Sequence, residues 1–144
     1  MFISYGFIHS NVIHLLINVI ALFLLGKILR KLGKDNLTSL ILFLSILGGA
    51  TFYYFFKPSS PAPLICANCA SFGLLAFVLS EELIKRLRRK RSVNQMVYVL
   101  LIFIFAHILY FYAFSAILPT SIIWQAHLGA FIVGTVLALI SKKK

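Results

Sequence analysis

The sequence predicts an all-α polytopic membrane protein, a bundle of five spanning helices filling one domain over residues 1–144. Three observations carry this. Of 144 residues, 61% are hydrophobic and 12% charged, where a soluble domain is roughly a quarter charged. The apolar residues gather into five long runs. The basic residues collect between them. A helical span needs about 20 apolar residues, so five spans leave room for short connectors and no separate soluble domain. The dispersed Lys and Arg also argue against a nucleic-acid-binding face.

The five runs cover about 11–29, 38–56, 63–84, 96–118 and 121–141. Each is continuously apolar over a helix-spanning length, whereas a membrane strand alternates apolar and polar side chains over about ten residues. Lys27, Arg30, Lys31 and Lys34 follow the first run, Lys85 to Arg91 carry six basic residues after the third, and Lys142 to Lys144 end the fifth. Thirteen of the fourteen basic residues therefore share one side, which the positive-inside rule makes cytoplasmic. The fourteenth, Lys57, opens a Pro- and Ser-containing turn on the opposite side. The predicted N-terminus is outside and the C-terminus inside. An outside start with no upstream span leaves two expectations: the short tail from Met1 to Ser10 is translocated on its own, or, the favoured one, a further helix precedes Met1 in a longer protein.

Polar groups inside a span are functional-site hypotheses by default. The three acids, Asp35, Glu81 and Glu82, lie at or near the cytoplasmic span ends, so no mid-membrane carboxylate is offered as an aspartyl catalyst or proton carrier. No HExxH motif is present. His9, His14, Asn18, Cys66, Asn68, Cys69, Ser71, His107 and His127 remain. His14 and Asn18 are four residues apart and share a helix face. Ala126, Ala130 and Gly134 form a small-residue stripe on the fifth run, where another helix can approach closely. Cys66 and Cys69 form a CxxC, read first as small-residue packing, with oxidation open to it on an oxidising side. A zinc site normally wants four ligands, and no second pair exists. His107 is read as a packed or interfacial histidine, and the six-residue basic run as an orientation signal with lipid contact secondary.

The segment FIHSNVIHLLINVIAL carries HxxxxHxxxN, and AHLGAFIVG places a histidine in an AHxxGxxxG setting. Together these resemble the rhomboid intramembrane serine proteases over nearly the whole chain, with the five runs matching family helices two to six. The resemblance implies a serine endopeptidase cleaving transmembrane segments near their outer ends, without cofactor or metal. His127 would be the base, His14 and Asn18 the oxyanion donors, and His9 a supporting group. The family's GxSG segment aligns with CANCASFGLLA through Gly73, Leu74 and Leu75. That register puts Cys66 and Cys69 at the glycines and Asn68 at the nucleophile. Phe72 falls where the family packs an aromatic on the catalytic histidine.

A hydroxyl or thiol attacks once an adjacent base takes its proton. An amide does not ionise near neutral pH and cannot form the acyl intermediate, so the Ser-His dyad is broken at Asn68. Ser71 is an alternative nucleophile, about 60° from Asn68 around the helix but roughly 4.5 Å deeper. Its plainer reading is a hydroxyl bonded to a preceding backbone carbonyl. Cys69 projects about 100° away. Two functions follow: a protease with a noncanonical nucleophile, or an inactive pseudoprotease that binds transmembrane helices as clients in the lipid bilayer. A small transporter or channel component is disfavoured, since no intramembrane acid or broken-helix pair is evident.

Overall fold

The computed structural model describes residues 3–9, 11–58, 68–115 and 124–141. Among them every regular element is helical: a 3-10 turn at Ser4–Phe7, α1 (Val12–Lys31), a 3-10 turn at Asp35–Leu37, α2 (Thr38–Phe56), α3 (Cys69–Arg88), α4 (Asn94–Ser115) and α5 (Trp124–Ile140). The chain divides into two units, Met1–Glu81 with Ile123–Lys144, and Glu82–Ile122. Among the described residues, the two helical stretches long and apolar enough to cross a membrane are Val12–Lys31 and Asp35–Phe56. Pro61 and Pro63 of the second connector, Cys66, the side chain of His107 and the terminal lysines lie outside the described residues.

In the first unit, α1 starts where Asn11 caps it, its Oδ1 accepting from the backbone N–H of His14 at 2.8 Å. That satisfies one of the orphan donors of the first turn. The helix ends in a Schellman arrangement: Gly33 N–H reaches the Arg30 carbonyl, Lys34 N–H reaches that of Leu29, and Gly33 takes φ +66°. Only a residue without a Cβ adopts that conformation at no steric cost. His14, Asn18, Leu25 and Leu29 form its buried face, while Val12, Ile13, Leu16, Val19, Ile20 and Phe23 stand exposed. The polar pair thus points inward from a helix whose outer surface is apolar.

The first half of α3 is buried on nearly every side, from Cys69 to Val78 with only Phe72 half-buried. A helix apolar all round belongs in the interior. Two close crossings hold it. A Cβ at Gly73 would lie 1.8 Å from the Ser45 hydroxyl oxygen of α2, and one at Gly134 of α5 would lie 2.0 Å from the Gly73 carbonyl oxygen. The predicted stripe on α5 is buried as expected, with Ala126 and Ala130 at 0% exposure. It continues to Ala138. On the other side of α5, Gly48 and Gly129 bring α2 close: a Cβ at Gly129 would meet the Gly48 carbonyl oxygen at 2.6 Å.

Tyr5 of the first 3-10 turn is fully buried and donates its hydroxyl to the Ile46 carbonyl of α2. A Cβ at Gly49 would meet the Tyr5 hydroxyl, the Ala126 carbonyl and the Cys69 sulfur within 3.3 Å. The short N-terminal turn, α2, α3 and α5 therefore converge on one glycine. At the other end of these helices, Lys34 Nζ donates to the Ser141 carbonyl at 3.1 Å, and Ser141 Oγ donates to buried Glu81 at 3.0 Å. That chain of contacts links the α1–α2 turn, α3 and the end of α5.

The second unit holds the last turns of α3, the basic turn and α4. Arg86 pairs with Glu82 at 2.8 Å, donates to the Ser92 carbonyl and reaches Gln95 Oε1 at 3.1 Å. The helix runs to Arg88, four residues past the expected apolar limit, because Glu, Lys, Arg and Leu are all good helix formers once the apolar stretch ends. Lys90, at φ +50°, closes it, with Arg91 N–H on the Arg86 carbonyl at 2.9 Å.

Candidate functional site

Asn68 immediately precedes α3, and its carbonyl accepts from Phe72 N–H at 3.0 Å, the first bond of the helix. Its side chain is therefore fixed at the helix entrance. His127 sits in the first turn of α5, whose close packing on α2 and α3 sets its depth. The two meet: His127 Nε2 lies 3.1 Å from Asn68 Oδ1. An amide oxygen only accepts, so in this orientation Nε2 carries the proton. The Phe72 ring stacks on the imidazole, centroids 4.4 Å apart and planes 9° from parallel. Edge and face of His127 are both engaged.

A second polar group lies on α1 and in the segment just before it. His9 and His14 contact edge to face at 5.5 Å, and His9 Nδ1 lies 3.1 Å from the Phe7 carbonyl. His14 and Asn18 are buried one turn apart. The Asn18 amide nitrogen is buried without a hydrogen-bond partner. In an apolar setting an unpaired donor costs about 1–3 kcal/mol, so it is a group ready for an acceptor.

Ser71 differs from its plainer reading. It is 2% exposed and its hydroxyl has no hydrogen-bond partner, so the bond to a preceding carbonyl is not made. Cys69 is disulfide-bonded rather than simply packed, and in that state offers no thiolate. The sequence reading passed over Gln125 and Ser45. Both are buried, and Gln125 Oε1 and Ser45 Oγ lack partners. Each is a polar residue within a long apolar run, and that was the signal available. Among the described residues no group of three or more His, Cys, Asp or Glu could hold a metal ion.

Inward-facing polar side chains on outwardly apolar helices, with an imidazole held at a helix entrance, describe a helical protein with buried polar groups. The comparison with family models specifies which kind. The Rhomboid domain model matches residues 1–144, so the chain belongs to the rhomboid family and is an integral membrane protein. Searches of curated proteins and of solved structures return no match.

Proposed function

We propose that this chain is a proteolytically inactive rhomboid that binds transmembrane helices of other membrane proteins. The observation that carries the reading is the contact between His127 Nε2 and Asn68 Oδ1 at 3.1 Å. The group beside the nitrogen that would take a nucleophile's proton is an amide, which has no ionisable hydrogen near neutral pH. Five spans, an outside N-terminus and a cytoplasmic C-terminus complete the reading, with His14 and Asn18 facing His127 and Asn68 across a wet pocket. A client helix that frays near its outer end exposes backbone carbonyls. The unpaired Asn18 amide supplies a donor for one of them.

The test uses purified protein in liposomes, a labelled transmembrane substrate and a serine-reactive phosphonate. The wild type is expected to neither cleave nor label, at the level of His127→Ala. Crosslinking should still capture an unstable transmembrane helix, and Asn18→Ala should weaken that capture. One observation favours a protease: the buried, unpartnered hydroxyl of Ser71. Cleavage that disappears in both Ser71→Ala and His127→Ala would establish that reading and end the inactive one.

A further inference from the structure

The turn between α3 and α4 concentrates charge that the proposed function leaves unused. Residues Glu82–Ile122 hold six basic residues, all within Lys85–Arg91, and one acid, Glu82. Arg86 is committed inside the turn: its guanidinium reaches Glu82, the Ser92 carbonyl and Gln95 Oε1 at 2.8, 2.8 and 3.1 Å. That answers the charge of Glu82, and among the described residues the other five cations make no ion pair. Lys85 and Arg88, in the last turn of α3, complement the negative end of the helix dipole. Arg89, Lys90 and Arg91 lie beyond the helix end, and with Arg88 they are exposed.

The backbone holds these cations in one ordered turn. Lys90 N–H reaches the Leu87 carbonyl at 3.2 Å and Arg91 N–H reaches that of Arg86 at 2.9 Å, the same pair of bonds that Gly33 and Lys34 make at the end of α1. Glycine fills the left-handed position there. Here Lys90 fills it, at φ +50°, with a steric cost that glycine avoids. A charge is thus kept where the backbone favours its loss, and strain of that kind points to a use for the side chain. Leu83 and Leu87, one turn apart at the same helix end, are 39% and 61% exposed. In an integral membrane protein such leucines face acyl chains, so the cations that follow them sit at headgroup depth. We propose that Arg88, Arg89, Lys90 and Arg91 form a binding site for the headgroup phosphates of anionic phospholipids, with Leu83 and Leu87 against the acyl chains. The guanidinium forks pair with phosphate oxygens, and Lys90 adds a point charge. Arg86 holds the turn closed without touching lipid. Orienting a span needs only charge on one side of the membrane. A headgroup site needs that charge fixed in one place, as the capped turn fixes it.

The site is independent of whether the chain cuts its clients. Full-length protein in neutral detergent is titrated with phosphatidylglycerol or with phosphatidylcholine, and bound lipid is counted by native mass spectrometry. Phosphatidylglycerol should bind about tenfold more tightly or better, with the preference shrinking as salt rises. Arg88→Gln combined with Arg89→Gln should weaken its binding about fivefold for each charge removed. Lys90→Gly separates charge from backbone: relief of the left-handed strain should raise the unfolding temperature, while phosphatidylglycerol binding falls about fivefold. It also serves if the arginine variants fail to fold. A chain carrying Lys27→Gln, Arg30→Gln and Lys31→Gln, which loses three cations at the end of α1, should bind nearly as the wild type does. An equal loss in that variant would overturn the site, since net charge and not this turn would then attract the lipid. Equal affinity for the two lipids would overturn it as well. Glycerol phosphate in large excess should leave the lipid bound; displacement would make the ligand a soluble phosphate and overturn the lipid assignment.

Discussion

His127 is held along its edge by an amide and across its face by a ring, and the two contacts differ in what they restrict. The Phe72 stack at 4.4 Å fixes the plane of the imidazole, while the Asn68 contact at 3.1 Å holds its Nε2 edge. Aromatic pairs contribute about 0.5–1.5 kcal/mol beyond the area they bury. Phe72→Ala is therefore expected to lower unfolding stability in detergent by about 1–2 kcal/mol, the excess over stacking coming from a half-buried ring. Phe72→Leu should recover the packing part and leave the imidazole faster to react with diethylpyrocarbonate. Asn68→Ser is the sharper chemical test. It replaces the amide with a hydroxyl beside Nε2, so phosphonate labelling of residue 68 should appear where the wild type shows none. A folded Asn68→Ser protein that stays wholly unlabelled, oxidised or reduced, would mean that residue 68 does not occupy the nucleophile position.

The helices are held apart or together by single missing methyl groups, and that makes glycine substitutions position-specific. A Cβ at Gly134 would fall 2.0 Å from the Gly73 carbonyl oxygen, and backbone cannot rotate out of the way as a side chain can. Gly134→Ala should separate α3 from α5 and cost about 1–3 kcal/mol, the usual range for overpacking. Gly26 on α1 gives the opposite case. Nothing lies within 4 Å of a Cβ there, so Gly26→Ala should be neutral or stabilise by up to about 1 kcal/mol through helix propensity. Urea or thermal unfolding of both variants in one detergent reads the contrast, and equal losses would show that the close crossing is not what matters at Gly134. These elements were legible because apolar run length and small-residue spacing are local properties. The stripe at Ala126, Ala130 and Gly134 was visible for that reason. The position of α3 as the inner helix was not, since burial is decided by which helix its neighbours surround and not by how apolar its own run is: α3 carries Ser71 and Glu81 and is still the most enclosed.

At the scale of the whole chain, the membrane class and the polar residues could be read from composition and spacing, while the seams joining distant segments could not. His127 and Asn68 came from a motif resemblance, and their contact needed coordinates. Tyr5 gave no signal at all: it lies before the first apolar run, yet it inserts where α2, α3 and α5 meet at Gly49. Burial is the main reason its phenol is held well above the ordinary range, with the charge of Tyr54 acting the same way and the backbone of Ala50 opposing both. The consequence for stability has a definite sign. A free phenol ionises near pH 10, so below that pH both the folded and unfolded chains keep the proton and Tyr5 contributes fully. Above it the unfolded chain releases the proton while the folded chain retains it, and stability falls as pH rises toward the folded value. Tyr5→Phe removes this term together with the bond to the Ile46 carbonyl. At neutral pH the variant should be about 1 kcal/mol less stable, and its loss of stability above pH 10 should be shallower than that of the wild type. Parallel alkaline limbs in detergent unfolding curves would show that Tyr5 ionises as freely in the fold as outside it, and the N-terminal turn would then not be sealed into the seam.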